Sequence, residues 1–122
     1  MIKMIGTAYK RDDFSKQAFF DYWRDVHAPI TAGAPGIRGY VVSEVMSRYH
    51  GEQEGVDGFV ELWFDDQEAL DKAMASPEEA AAWEDVANYA KTTGTFWICK
   101  EHVYIPPPII GPGSLSRQAW IA

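Results

Sequence analysis

The strand-like segments of this chain carry apolar residues at both parities, and that limits its possible folds more than any other feature. Val41 and Val42, Phe59 and Val60, and Phe96 and Trp97 are adjacent pairs inside runs of β-forming residues. Successive side chains of a strand point to opposite faces. A sheet built from these runs is therefore apolar on both sides and must bury both. The remaining sequence offers two helical regions, enough to cover one face. A second copy of the same sheet is the natural cover for the other, so a homodimer is expected.

The order of the elements follows from the punctuation. Ile2 to Tyr9 is an apolar run that predicts a strand, and Lys10 to Asp13 is a polar break. Ser15 is a good N-cap for a helix whose stripe is Phe19, Tyr22, Trp23 and Val26. That helix is expected to stop near His27, because Ala28 precedes Pro29. A loop over residues 28–36 leads to a strand over 37–47, a polar connector over 49–57 and a strand over 58–64. The two strands are expected to pair as an antiparallel hairpin. Asp65 with Glu68, and Ser76 with Glu79 around Pro77, both read as capping boxes, so the second helical region should break near Ser76. Beyond the break, Trp83, Val86, Ala87 and Ala90 are the expected buried stripe. Residues 95–105 form the last strand, and Pro106 to Pro108 end it. Four strands and two helices in the order β-α-β-β-α-β describe an α+β, ferredoxin-like domain over residues 1–105 with a four-stranded antiparallel sheet. The Pro-rich tail, 106–122, carries Ile109, Ile110, Leu115, Trp120 and Ile121. It is expected to pack on its own or the partner subunit.

Composition narrows the function classes. The 122 residues include 47% hydrophobic and 14% aromatic ones, enough for a bulky core or an aromatic-lined pocket. A formal net charge of -7 and the lack of any basic run argue against nucleic acid and anionic membrane as partners. One cysteine, Cys99, permits no intramolecular disulfide. No apolar run reaches membrane-spanning length, and a cytoplasmic protein is expected. The histidines His27, His50 and His102 show no metal-ligand spacing, and there is no phosphate loop or nucleophile elbow. No metal or cofactor is expected.

His27 is the first candidate for chemistry. It follows Trp23 by four residues and Phe20 by seven, at the edge of an aromatic stripe. Near neutral pH an imidazole can give and take a proton. Alternatively, it only caps the last helical carbonyls. Tyr22, Trp23, Tyr40, Trp63, Trp83 and Tyr89 could line a pocket for an oxygenated ring, or could be core. Glu61, which shares a strand face with Phe59 and Trp63, is the candidate second proton-transfer group. Alternatively it is paired at the sheet rim. Glu44 is a weaker case, and the orientation of His102 is open.

The segment Phe19-Phe20-Asp21-Tyr22-Trp23-Arg24-Asp25-Val26-His27-Ala28-Pro29 resembles the helix of the EthD family. So do Pro35-Gly36 before a strand with Tyr40, and Glu61-Leu62-Trp63-Phe64 leading to Asp65 and Glu68. That family is similar in turn to the methylmuconolactone isomerases and the small polyketide cyclases and dehydratases. The resemblance implies a dimeric α+β barrel, in which two ferredoxin-like sheets pack face to face with a pocket in each subunit. It implies a proton-transfer role for His27. The isomerases also use a cysteine and a further histidine, and Cys99 lies on a different element from that cysteine. The expected activity is a cofactor-free lyase or isomerase acting on a lactone, phenolic or polyketide intermediate. The alternatives are a cofactor-free or haem-dependent monooxygenase of the antibiotic-biosynthesis type and a non-catalytic, ligand-binding or stress-responsive barrel.

Overall fold

The computed structural model describes residues 1–53 and 55–108. Four strands, β1 (Ile2–Ala8), β2 (Gly39–Glu44), β3 (Gly58–Phe64) and β4 (Phe96–Lys100), form one antiparallel sheet in the spatial order β2-β3-β1-β4. The helices are α1 (Lys16–Tyr22), α2 (Ala28–Ala32), α3 (Gln67–Met74) and α4 (Pro77–Asp85). This is the expected α+β, ferredoxin-like arrangement, including the antiparallel pairing of β2 with β3. The second and fourth strands are shorter than their apolar runs suggested. The apolar part of the tail, from Ile109 onward, lies outside the described residues. Among the described residues no helix is long and apolar enough to cross a membrane.

Register decides what each face carries. Met4 pairs with Leu62 and Ile98, and Val60 with Gly6 and Val42, so these side chains share one face. That face packs on the helices, and Met4, Val60, Leu62 and Phe64 join Phe19, Trp23, Leu70, Ala73 and Tyr89 in a single core. The opposite face carries the row Val41–Glu61–Ile5–Trp97 with Phe59 and Trp63 beside it. Among the described residues no helix covers it, and Trp97 is 50% exposed.

The first helix does not stop at His27. Pro29 has no N–H to donate, and its ring collides with the carbonyl four residues back in a regular α-helix. The chain resolves this by widening one turn. Residues Trp23–His27 form a π-turn, in which the Ala28 N–H reaches back five residues to the Trp23 carbonyl. Pro29 then sits in the first turn of α2, where a missing N–H costs nothing. The wide turn also rotates the stripe. Phe19, Trp23 and His27 are buried, while Val26, expected in the core, is 40% exposed.

The second helical region does break at Ser76, whose hydroxyl accepts the Glu79 N–H at 3.2 Å. Its other caps differ from expectation. Asp66, not Asp65, caps α3 by accepting from the Ala69 N–H, and the methyl side chain of Ala69 cannot return a bond to close a capping box. The buried residues of α4 are Glu79, Ala82 and Asp85, one position out of phase with the expected stripe, and Trp83 is 45% exposed.

Gly6 is required where it stands. A Cβ there would lie 2.2 Å from the Phe96 ring, which crosses β1 and meets Trp83 edge-on at 4.8 Å. Gly6→Ala should force Phe96 off the strand and cost about 1–3 kcal/mol, as overpacking typically does. Equilibrium urea unfolding of the two proteins checks this.

Candidate active site

The π-turn aims His27 at α4. Its Nδ1 lies 2.9 Å from Asp85 Oδ2, and the ring is 7% exposed. A carboxylate can only accept, so Nδ1 carries the proton and Nε2 keeps its lone pair. Asp85 is fixed by two further donors. The Tyr22 hydroxyl donates to Oδ1 at 2.6 Å and the Asn88 amide at 2.9 Å. Burial opposes ionisation of Asp85, but these three hydrogen bonds outweigh it and hold the carboxyl below the usual 3.8. Burial acts first on His27 as well and pushes it below the 6.5 of a free imidazole, although Asp85 pulls the other way. The pair at neutral pH is thus an ionised Asp85 orienting a neutral His27.

Around the pair lies a stack of rings. Tyr89 sits 4.9 Å from His27, 4.9 Å from Tyr22 and 5.8 Å from Trp23. A cavity of about 140 Å³ opens beside them. Met4, Val60 and Leu62 form its floor, and Trp83 and Phe96 its outer wall. His27, Thr31, Tyr40 and Glu79 are among its polar lining residues. The Thr31 hydroxyl is 3.4 Å from His27 Nε2. The Tyr40 hydroxyl accepts the Trp23 Nε1–H at 2.8 Å, and burial pushes its pKa up to about 12.

Of the residues anticipated from the sequence, the structure brings His27, Trp23, Tyr40, Trp83 and Tyr89 to this cavity. Tyr22 stands behind it, holding Asp85. Two expectations are corrected. Glu61 and Trp63 share a face with Phe59, as their spacing implied, but it is the face away from the helices. There Glu61 accepts from Lys3 Nζ at 2.8 Å, and Lys3 lies over the Trp63 ring. Glu44 and His102 are exposed, Glu44 at the end of β2 and His102 beyond β4.

Two residues were missed. Asp85 orients the imidazole, and Glu79 is a buried carboxyl on the cavity wall. The readable signal was phase. Glu79, Ala82 and Val86 fall on one helical stripe, with a small residue between two larger ones.

Fold and site together define a ferredoxin-like α+β domain with an aromatic cavity between helices and sheet and an imidazole–carboxylate pair on its wall. The chain belongs to the EthD domain family, whose model matches residues 11–93. It is 31% identical to an EthD-family protein from Bacillus halodurans C-125, with 84% of this chain and 99% of that one covered at a TM-score of 0.71. A dimeric ferredoxin-like protein from Bacteroides fragilis shares the fold at 18% identity and a TM-score of 0.62, over 82% of this chain and 95% of that one. SnoaB from Streptomyces nogalater, a cofactor-independent oxygenase, does so at 11% identity and a TM-score of 0.61, over 87% and 97%. Comparison with curated protein sequences gives no match.

The depressed imidazole has a consequence for stability. Unfolded, His27 takes up a proton as pH falls past 6.5, whereas the folded site resists protonation, so acid favours the unfolded chain. Unfolding free energy should therefore decline as pH drops through 6.5, and His27→Gln should flatten that part of the profile. Asp85 acts in a separate range, below 3.8. Urea titrations at a series of pH values check both.

Proposed function

We propose that this protein is a cytoplasmic, homodimeric, cofactor-free lyase or isomerase in which His27 is the general acid and base. The substrate class is a small oxygenated ring compound such as a lactone, phenolic or polyketide intermediate. The observation that carries this reading is the His27–Asp85 pair. Its Nδ1–H is committed to a carboxylate, which leaves Nε2 as the basic atom on the wall of an aromatic cavity. Proton transfer is the chemistry such a pair supplies without assistance. Asp85 stabilises the imidazolium that forms, and the rings of Trp23 and Tyr89 position a planar substrate and exclude water.

The enzyme should turn over a member of a panel of lactones, phenols and cyclic enones, followed by proton NMR. His27→Ala should lower that turnover by about 10²–10⁴ and leave the far-UV circular dichroism unchanged. Near-normal turnover in the variant would remove the imidazole from the mechanism. The aromatic wall also suits a neutral phenol, and oxygen uptake during turnover would favour the second reading, a cofactor-free oxygenase. Binding without chemical change, unaffected by His27→Ala, would favour a ligand-binding role.

The dimer is supported by the uncovered sheet face, where Phe59 and Trp97 stand exposed beside Val41, Ile5 and Trp63. A largely apolar surface of this kind, crossed by the Lys3–Glu61 pair, marks an association site. Light scattering should report twice the chain mass, and Trp97→Glu should halve it, because an unpaired carboxylate would be buried in the contact.

A further inference from the structure

Glu79 has no structural task. Its backbone N–H is capped by Ser76, but its carboxyl does not return the bond, since the Ser76 N–H goes to the Ala73 carbonyl at 3.1 Å. The residue is 3% exposed, and among the described residues Oε1 finds no hydrogen-bond donor. Among the described residues no ion pair compensates it either. Lys91, the cation on the cavity wall, is paired with Asp12 at 3.1 Å. A buried carboxyl oxygen without a donor lowers stability, and departures of this kind concentrate at working sites. Burial raises its pKa, which favours the neutral acid with an O–H to give.

The same cavity therefore presents a proton donor, Glu79, and a proton acceptor, His27 Nε2, set in apolar and aromatic walls. An apolar cavity of roughly 150 Å³ holds benzene, so a cavity of about 140 Å³ holds one ring. Among the described residues no buried cation lines the cavity, since Lys91 is exposed on its rim, and the buried Glu79 carboxyl disfavours an anionic ligand. We propose that Glu79 is a catalytic acid that protonates the carbonyl oxygen of a neutral, single-ring ketone or lactone while His27 removes the adjacent ring proton. This rests on the reading of His27 as the base and narrows its substrate class.

The step balances without any oxidant or reductant. The C–H bond next to the carbonyl breaks, and its proton passes to Nε2. Its electron pair becomes the C=C bond of an enol. The carbonyl π pair moves onto oxygen, which takes the Glu79 proton. Asp85 holds the resulting imidazolium. Return of the Nε2 proton to a ring carbon, with the enol proton returning to Glu79, completes a tautomerisation.

The test uses the full chain and cyclohexanone in deuterium oxide, with loss of the α-proton signal followed by NMR. The wild-type protein should exchange these protons faster than buffer, and His27→Gln should abolish the effect. Glu79→Leu should slow exchange by about 10²–10⁴ while unfolding at a higher temperature, since it removes an unpaired buried carboxyl. Glu79→Gln, which donates a hydrogen bond but no proton, should fall between. The bound ketone's C=O stretch should lie at lower frequency in wild type than in Glu79→Leu. Undiminished exchange in Glu79→Leu, with His27→Gln inactive, overturns the role of Glu79 and leaves that of His27 standing. Undiminished exchange in His27→Gln overturns the reading of His27 itself. Failure of the wild-type protein to exceed buffer overturns the single-ring ketone class.

Discussion

The arrangement of the site depends on a proline inside a helix. Pro29 cannot accept a regular α-helical turn before it, and the widened turn from Trp23 to His27 is the local solution. A π-turn adds a residue to the helical repeat and so advances everything after it around the axis. Without it, the repeat that buries Phe19 and Trp23 would carry Val26 inward and His27 to the flank. With it, the imidazole takes the core position and reaches α4. Such bulges occur often at functional positions. Here the reason is geometric: the bulge exchanges an aliphatic side chain for a titratable one at the point where helices and sheet meet.

The partner of that imidazole comes from a helix that breaks an ordinary rule. α4 turns two carboxylates, Glu79 and Asp85, toward the interior. They are treated in opposite ways. Asp85 receives donors from Tyr22, Asn88 and His27, and it is held ionised. Glu79 receives none on Oε1 and is pushed toward its neutral form. Two acids on one helix, separated by their surroundings into a charged and a neutral one, are the condition under which one site can orient a base and supply an acid.

Much of this was legible from the residues. Order, hairpin and core residues such as Phe19 and Trp23 follow from periodicity, and His27 stood out by its chemistry beside an aromatic stripe. The failures have physical causes. Pro29 reads as a stop because proline usually heads or ends helices, and only packing against α4 makes a widened turn the better solution. Glu79 reads as half of a capping box, and its backbone does take part in one, but its side chain does not. Asp85 carries no signal of its own in the sequence, because two of its three donors, Tyr22 and His27, lie 63 and 58 residues away. Glu61 failed for another reason. Parity correctly grouped it with Phe59 and Trp63, but a strand that is apolar on both sides does not say which side the helices will take.

That two-sidedness is also what joins the chemistry to the assembly. β4 is an edge strand, and its successive residues serve opposite faces. Phe96 lies over Gly6 against Trp83 and walls the cavity, while Trp97 points to the uncovered face beside Ile5. The backbone that places one ring places the other. An isolated edge strand is held on one side only, so the cavity's outer wall is only as firm as the single β1–β4 ladder. A partner sheet laid on Trp97 would restrain that strand from its free face and, through one peptide unit, fix Phe96 as well. The apolar face left open by the helices α1 to α4 is on this account part of how the cavity keeps its shape.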